Sequence, residues 1–577
     1  MDNVATLITD IHLANRHRKF TGIVFLDLVG TFDNVLPEAL LILLEKFGLP
    51  KKIIGFIRKT TTNRYLTGYA AGIPLQTRRT DRGLPQGSIL SPILFNIYVA
   101  LAHTCLPEHL KILMYANDIA IYHMDDNLDS IKCQLGITVE RLKVFFGRLG
   151  LKIAPEKSTY TTFSSMKPRN LRVLLRKNNF FLKLDNTNIL ISWSPRFLGI
   201  YLDSELKWRA HINKLKNRTI PRINILKAIS GIKWGAHPNI LLTIYKGFIR
   251  PLLDWGCQVF HPLDEALYLK TSRLQFAALR TVTGIMCTTP INVLLDINGE
   301  QPLASRWQYL TEKLICKIKA RTTHPLHYTL EQIAQDPAND QYNFESLINT
   351  FMTHQHLFNQ IETFKLPGYL EFKYHSHQSN PQIDVDIGFG LINRPNIQDK
   401  FIQFTNSNIP SSTKFYTDGS RLNMASKARY AIYSPDLNLK MKRRINDNCS
   451  IFQAETLAIS HTLDIILERK INNSAIFTDS LSVLSGLNNS AWSGKTHNWI
   501  LKIRHSLYNC QTNNIMVKLF WIPSHKGIYG NEQADLLAKE SLHLPNHLLM
   551  SKCHYSNIYS KVKKLAKDKA TQTLRPV

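Results

Sequence analysis

Four acidic residues in the last third of the chain restrict its architecture more than any other pattern in the sequence: Asp418, Glu455, Asp479 and Asp535. Apolar runs at 414–417 and 475–478 predict two buried strands, and an aspartate follows each of them directly. We expect the turn formers Gly419 and Ser420 to leave Asp418 at a strand end with accessible oxygens. Because strand ends and helix starts converge at one edge of a sheet, the pattern predicts an α/β domain.

The other two acidic residues fall in predicted helices. Ser450 and Gln453 have the spacing of a capping box, which predicts a helix that begins just before Glu455. At helical spacing, this helix would press one apolar face against the sheet, formed by Ile459, Leu463 and Ile466. Asp535 lies within 530–538, which we predict to be the early part of the last helix.

Carboxylates that converge in this way are typical of phosphodiester hydrolysis by two metal ions. Such sites hold the ions about 4 Å apart, so that one activates water and the other stabilises the leaving oxygen. Hard oxygen ligands select magnesium. Any single aspartate is far more often a surface charge, and the joint pattern therefore carries the inference.

Motifs in this region together resemble the type 1 ribonuclease H family, in the family's order, between about Thr413 and Ser541. They are Thr417-Asp418-Gly419-Ser420, Ala454-Glu455, Thr478-Asp479-Ser480 and the run from Trp521-Ile522-Pro523-Ser524-His525-Lys526-Gly527 to Asp535. The resemblance implies that the four carboxylates are catalytic and bind two Mg²⁺ ions. It also implies that His525 lies on a mobile loop and assists product release or proton transfer, although His525 alone reads equally well as an ordinary loop histidine.

The same resemblance implies a fold and a substrate. The fold would be a mixed five-stranded sheet flanked by helices. The substrate would be an RNA/DNA hybrid, recognised by its shape and its 2′-hydroxyls rather than by its sequence.

The charge of the chain agrees with a nucleic acid partner. Its 71 lysines and arginines exceed its 43 aspartates and glutamates, which gives a formal net charge of +28. Such an excess attracts polyanions and speeds encounter with them. The alternative is a basic protein that binds polyanions without selection, and charge alone does not separate the two.

The 577 residues are 44% hydrophobic and 20% charged, which predicts several globular domains rather than disorder. The eight cysteines include no closely spaced pair of the kind that binds zinc, and we expect reduced, mostly buried thiols. The sequence contains no apolar run of about 18 residues and no signal-like start, so we expect an intracellular protein without a membrane span.

A second group of motifs lies in the first two hundred residues and resembles the reverse transcriptase of non-LTR, jockey-like retrotransposons. The motifs occupy 25–35, 82–92, 150–158 and 197–203, in the family's order. The resemblance implies that Asp27 is a metal ligand, that Phe32 screens against a ribose 2′-hydroxyl, and that Gln86 contacts the incoming nucleotide. It also implies a right-hand polymerase palm of the α+β class.

The chain departs from this family at a predicted hairpin spanning 111–122. Where the family has two consecutive aspartates, this sequence has Asn117 and Asp118. A neutral amide is a weaker metal ligand and supplies one negative charge fewer, so we predict a severe loss of polymerase activity. The palm motif already begins at Ile23, which leaves incomplete fingers and suggests a 5′-truncated copy.

These expectations divide the chain into five parts. We predict a palm with incomplete fingers at 1–204, a thumb-like helical region at 205–300, a connection of unknown role at 301–410, a ribonuclease H domain at 411–545, and a basic tail at 546–577. Polar, proline-bearing residues around 380–406 predict a linker before the last domain.

Three functional hypotheses remain open on the sequence. The first is a hybrid-directed endoribonuclease attached to an impaired polymerase. The second keeps both activities, which requires Asn117 to be harmless. The third is a non-catalytic, nucleic-acid-binding relic.

Overall fold

The computed structural model describes residues 1–184, 187–231, 234–335, 347–365, 368–372, 374–392, 394–422, 427–489, 496–541 and 552–574. The chain forms two compact units. The first comprises Met1–Trp307 with Glu345–Leu347, and the second comprises Gln308–Phe344 with Ile348–Val577. In the described part of the chain, no helix is both long enough and apolar enough to cross a bilayer.

The first unit combines strands and helices. Its strands are β1 (Phe20–Val29), β2 (Arg64–Leu66), β3 (Tyr69–Ala70), β4 (Ile73–Pro74), β5 (Arg78–Thr80), β6 (Lys111–Tyr115), β7 (Asp118–Asp125), β8 (Lys152–Ile153), β9 (Thr159–Phe163), β10 (Leu182–Leu184), β11 (Thr187–Ile191), β12 (Arg196–Phe197) and β13 (Ile200–Tyr201). Its helices are α1 (Asp2–Arg16), α2 (Pro37–Lys46), α3 (Lys51–Thr61), α4 (Ser91–Val99), α5 (Leu128–Arg148), α6 (Pro168–Lys177), α7 (Arg209–Ala228), α8 (Pro238–Ile244), α9 (Arg250–Asp254), α10 (Cys257–Phe260), α11 (Glu265–Thr283), α12 (Ile291–Ile297) and the start of α13 (Leu303–Ala320). A 3-10 helix spans Ala100–Cys105 and a π-helical turn spans Tyr245–Ile249.

Strand β1 lies at the centre of the main sheet of this unit. The strand order is β10-β11-β9-β1-β7-β6, with β8 also paired to β1. Ile23 and Val24 are fully buried, as a strand covered on both faces requires. A Cβ atom on Gly22 would collide with Ile131 of α5, so glycine lets this helix lie close against β1. The predicted hairpin is confirmed as β6 and β7, joined at Ala116 and Asn117.

Helices dominate the rest of the first unit, as the sequence predicted. Helix α7 packs against α11, and both bury one apolar face. A partly buried group of ion pairs lies among these helices, in which Arg306 binds Asp254 at 2.6 Å and Arg250 binds Glu300 at 2.8 Å. These cations are therefore neutralised within the protein.

The second unit is built on one sheet. Its strands are β14 (Gln382–Asp384), β15 (Thr413–Leu422), β16 (Lys427–Ser434), β17 (Leu439–Arg444), β18 (Asn473–Thr478) and β19 (Met516–Trp521). Besides the remainder of α13, its helices are α14 (Pro325–Gln335), α15 (Leu347–Thr353), α16 (Gln355–Phe358), α17 (Gly368–Glu371), α18 (Tyr374–Gln378), α19 (Asp386–Leu391), α20 (Ile397–Asn408), α21 (Ile451–Glu468), α22 (Leu481–Asn488), α23 (Asn498–Thr512), α24 (Tyr529–Glu540) and α25 (Tyr555–Leu574).

The sheet of this unit is mixed, in the order β14-β19-β18-β15-β16-β17. Strands β15 to β17 pair antiparallel, whereas β15, β18, β19 and β14 run parallel. The five strands expected from the sequence are present, and the short β14 adds a sixth. Aromatic rings of neighbouring strands stack through the core, with Phe477 lying 5.1 Å from Tyr416 and 5.2 Å from Phe520.

The prediction of a linker around 380–406 is wrong. This stretch contributes β14 to the sheet and forms α19 and α20. Phe401 of α20 is 3% exposed and packs edge-on against Phe477 of β18, with ring centroids 5.0 Å apart. The many polar residues of this stretch suggested a linker, but its apolar residues pack into the core of the second unit.

Candidate active site

Three of the acidic residues singled out in the sequence meet in the second unit. One carboxylate oxygen each from Asp418, Glu455 and Asp479 lies within 4.8 Å of the others. Asp418 and Glu455 are buried, at 6% and 5% exposure, and Asp479 is half-buried. We call these three residues the carboxylate cluster. Like charges gathered away from water repel one another strongly unless a cation or protons neutralise them.

Asp418 does not end its strand as the sequence suggested. Strand β15 continues to Leu422, and Asp418 pairs with Ala431 of β16. The parallel pairing with β18, by contrast, stops at Thr417 and Thr478. Asp418 therefore lies where the neighbouring strand ends, and Asp479 follows that end directly. Asp418 and Asp479 do come together as predicted. The Asp418 side chain is accessible because β18 ends beside it, and not because β15 itself turns sharply there.

Glu455 is placed by the start of α21. Ser450 caps this helix by accepting a hydrogen bond from the Gln453 backbone N–H at 3.2 Å, as the capping-box spacing predicted. The backbone N–H of Gly419 donates to the Glu455 carboxylate. A Cβ atom on Gly419 would lie 2.6 Å from the backbone nitrogen of Glu455. Glycine therefore permits the contact between β15 and α21 that brings the two carboxylates together.

Asp479 is held from two sides. The indole Nε1 of Trp521 donates to its backbone carbonyl at 3.0 Å. The side chain of Asn531, itself 2% exposed, hydrogen-bonds its carboxylate. Asn531 lies on α24, so this helix helps to orient the cluster.

Asp535 also lies on α24, near its middle rather than early in it, and α25 follows as a further helix. Lys539 binds the Asp535 carboxylate at 2.5 Å, and Nδ1 of His525 lies 3.7 Å from it. His525 is two-thirds exposed and adopts a left-handed backbone conformation, with φ of 51°.

The sequence reasoning missed Glu532. Its carboxylate joins His525 and Asp535 in a second group whose ligand atoms lie within 4.8 Å of one another. Glu532 also accepts a hydrogen bond from the backbone N–H of Gly527 at 3.2 Å. Its spacing of three residues from Asp535 on one helix was the signal that would have found it.

The electrostatics of the cluster reflect its burial. Desolvation raises the pKa of Asp418 to about 7, with further contributions from Asp479 and Asp535. Desolvation also raises the pKa of Glu455 well above its usual value, and Asp418 adds to the effect. The pKa of Asp479 is raised as well, again mainly by burial.

The cluster fits a cation. One carboxylate oxygen of Asp418 and one of Glu455 are buried and accept no hydrogen bond from any residue that the structure describes. Buried acceptors without partners are costly, and a charged one costs most. A divalent cation with a preference for oxygen would satisfy both atoms and offset the repulsion among the carboxylates.

The polymerase-like residues also meet, in the first unit. Asp27 of β1 lies opposite Asp118 of β7 in the antiparallel register. Asn117 donates from Nδ2 to the Asp27 carboxylate at 3.1 Å. Lys157 lies 4.0 Å from the same carboxylate. Burial raises the pKa of Asp118, and the charge of Asp27 adds to this rise.

Phe32 and Gln86 also belong to the first unit. The Phe32 ring packs on Phe95 at 5.0 Å, and Gln86 donates to the Asp33 carboxylate at 2.8 Å. Gly83 adopts a φ of 83°, and a Cβ atom there would lie 2.8 Å from the Asp33 carbonyl oxygen. The glycine of this motif therefore allows the close approach of two backbone segments.

Two family models match this chain, in sequence order. A model described as reverse transcriptase (RNA-dependent DNA polymerase) matches residues 2–202. A model described as RNase H matches residues 410–543. The first covers the sheet that carries Asp27 and Asp118, and the second covers the carboxylate cluster.

Similar curated proteins come from mobile elements of Drosophila melanogaster. The probable RNA-directed DNA polymerase from transposon BS is 22% identical over 291 residues, which cover 48% of this chain and 31% of that protein. The RNA-directed DNA polymerase from mobile element jockey is 22% identical over 280 residues, covering 47% and 29% respectively. The aligned stretch thus spans less than a third of each relative.

Among solved structures, RNase H1 from the halophilic archaeon Halobacterium salinarum NRC-1 aligns with 23% of this chain and 98% of its own, at 20% identity and a TM-score of 0.19. The chain carries a reverse transcriptase domain followed by a ribonuclease H domain, and the curated proteins that it resembles include RNA-directed DNA polymerases of Drosophila mobile elements.

Proposed function

We propose that the second unit hydrolyses the RNA strand of RNA/DNA hybrids with two Mg²⁺ ions. The observation that carries the proposal is the carboxylate cluster, in which two buried oxygens have no hydrogen-bond donor in the described part of the chain. Ribonuclease H domains generally use divalent metals, and oxygen-only ligands favour Mg²⁺. When bound, the ions would supply an activated water and stabilise the leaving oxygen.

The residues of this chain have separate roles in the proposal. Asp418, Glu455, Asp479 and Asp535 hold the ions. His525 is exposed and lies beside Asp535, so it can assist proton transfer or the release of the product. Lys539 neutralises part of the Asp535 charge at 2.5 Å, which orients that carboxylate in the absence of metal.

We propose that the polymerase site is impaired. The support is the amide of Asn117, which donates to the Asp27 carboxylate. In the family, this position carries the first of two consecutive aspartates. Two carboxylates, Asp27 and Asp118, remain there, with Lys157 4.0 Å from the first of them. This site therefore offers a divalent cation less negative charge than the family pattern does.

The test uses the full chain, an end-labelled RNA/DNA hybrid and Mg²⁺. Wild type should cut the RNA strand alone. The Glu455→Gln variant should cut the RNA more than about 100-fold more slowly. Loss of an outer-shell partner of a metal site costs up to about 100-fold, and Glu455 is proposed to bind the metal directly.

Glu468→Gln is the matched control, because Glu468 is exposed at the other end of the same helix. It should cut at the wild-type rate. A folded wild type that leaves the hybrid intact would reject the proposed nuclease. Equal rates in wild type and Glu455→Gln would reject the cluster as its site.

A further inference from the structure

Arg429 of β16 lies beside the carboxylate cluster, and none of the motifs described above includes it. It is 3% exposed, although an arginine is almost never fully buried unless it is paired. In the antiparallel register, Asp418 of β15 pairs with Ala431, two residues after Arg429. Arg429 is therefore the diagonal neighbour of Asp418 on one face of the sheet, a separation of about 7–8 Å that a long side chain can span.

The Arg429 guanidinium hydrogen-bonds to neutral acceptors. One terminal nitrogen donates to the Ser420 hydroxyl at 3.4 Å, and the other donates to the Lys539 carbonyl near the end of α24 at 3.5 Å. These bonds hold the guanidinium between β15 and α24, the elements that carry Asp418 and Asp535. Its positive charge is thus fixed beside two of the proposed metal ligands.

The charges of Arg429 and the two aspartates affect one another. Burial lowers the pKa of Arg429, whereas Asp418 and Asp535 each raise it. At Asp418, burial raises the pKa, and Lys539 and Arg429 both lower it. Because an arginine keeps its proton in proteins, Arg429 is a permanent cation at this site.

The cations of the site lie on the side of Asp535. Lys539 binds the Asp535 carboxylate at 2.5 Å, and Arg429 reaches the same end of α24. Glu455 and Asp479, in contrast, receive hydrogen bonds from a backbone N–H and an asparagine side chain, which are neutral groups. A divalent cation held by Asp418 and Asp535 would therefore meet two like charges, which disfavour its binding.

We propose that Arg429 is a positioning residue that competes with Mg²⁺: it holds Asp418 and Asp535 in the metal-free protein and weakens the binding of an ion that these carboxylates share. The inference rests on the proposed function, because it requires that the cluster binds Mg²⁺. A fixed cation of this kind sets the Mg²⁺ concentration at which the nuclease becomes active.

The test measures Mg²⁺ binding to the full chain by titration calorimetry, without nucleic acid. The heat that Glu455→Gln retains comes from Mg²⁺ bound elsewhere and is subtracted. Arg429→Met removes the charge but keeps a long side chain, and it should bind Mg²⁺ about tenfold more tightly than wild type. A charge about 4–6 Å away changes the affinity of a carboxylate for a proton by about tenfold or more, and the same attraction acts on a metal ion.

The matched control is Arg444→Met. Arg444 is 8% exposed and lies opposite Arg429 on β17, one strand further from β15, where it binds Asp447 at 3.3 Å. This variant removes the same charge from a similarly buried position, and its affinity for Mg²⁺ should equal that of wild type. Arg429→Lys keeps the charge and should also bind Mg²⁺ as wild type does. If Arg429→Met does not unfold cooperatively, Arg429→Gln, which keeps a side-chain donor, replaces it.

The direction of the change separates competition from a purely structural role. If Arg429 only aligned the carboxylates, its loss would weaken Mg²⁺ binding. Competition predicts tighter binding, and the Mg²⁺ concentration that gives half the maximal rate of hybrid cleavage should fall by the same factor.

Two kinds of failure are distinguishable. Unchanged or weaker binding in the neutral variants of Arg429, or an equal gain in Arg444→Met, overturns the role of Arg429 and leaves the proposed nuclease intact. A wild type that binds no more Mg²⁺ than Glu455→Gln overturns the proposed metal site and this inference with it.

Discussion

The two acidic sites of this chain differ in how their charge is satisfied. In the reverse transcriptase domain, Asn117 donates to Asp27 and Lys157 lies close by, so the protein itself supplies partners. In the ribonuclease H domain, Asp418 and Glu455 each have a buried oxygen to which no described residue donates a hydrogen bond. The Asn117 amide and the Lys157 ammonium thus give Asp27 partners of a kind that these two oxygens do not have among the described residues.

The largest expected effect concerns metal and stability. Mg²⁺ at 100 times its dissociation constant should stabilise the second unit by about 2.7 kcal/mol, because only the folded cluster binds it. The Asp418→Asn variant should gain far less from Mg²⁺, yet should melt above wild type without metal because a buried charge is gone. Thermal unfolding with and without Mg²⁺ measures both. A variant that melts lower in the absence of metal would contradict the repulsion described here.

The second effect tests the close approach at Gly419. The Gly419→Ala variant forces a Cβ atom to within 2.6 Å of the Glu455 backbone nitrogen, so β15 and α21 must separate. We expect a loss of about 1–3 kcal/mol in the free energy of unfolding, the usual cost of overpacking, together with weaker Mg²⁺ binding. Gly390→Ala is the control, since nothing lies near its Cβ position. Equal stability of the two variants would show that the contact is not tight.

The third effect concerns the metal site of the reverse transcriptase domain. Asn117→Asp replaces the donor beside Asp27 with a carboxylate and should raise Mg²⁺-dependent primer extension roughly tenfold, about 1.4 kcal/mol. Asn188→Asp adds the same charge at an exposed position of β11 and should leave extension unchanged. Primer extension on a homopolymer RNA template measures the difference. No gain in the Asn117 variant would place the defect elsewhere in the domain.

The smallest effect concerns pH. The folded-state pKa of Asp418 is about 7, above its ordinary value of 3.8, so the folded protein binds a proton more tightly than the unfolded chain. This contribution to stability is complete below pH 3.8 and is lost as pH rises through 7. Metal-free wild type should therefore lose stability across this window more steeply than Asp418→Asn. Parallel curves would show that Asp418 does not titrate there.

Local patterns predicted the parts of the site that depend on local chemistry. The cap at Ser450 placed the helix of Glu455, and the apolar run before Asp479 placed its strand. The end of β15 was misjudged because its length depends on pairing with β16, a partner the run at 414–417 does not reveal.

Contacts between residues far apart in the chain could not be predicted from the sequence. The region called a linker carries Phe401, whose burial against Phe477 depends on strands far along the chain. Gly388 similarly lies against Trp521, where a Cβ atom would collide with the indole. The roles of the four carboxylates and His525, and the five-part division of the chain, stay predictions.

We propose an active nuclease and an impaired polymerase in one chain, and a single substrate measures both activities. A DNA primer annealed to a labelled RNA template, incubated with the full chain, Mg²⁺ and deoxynucleotides, reports cleavage and extension together. We predict RNA cleavage within the hybrid and little or no primer extension. Efficient extension of the primer over an intact RNA strand would contradict the account.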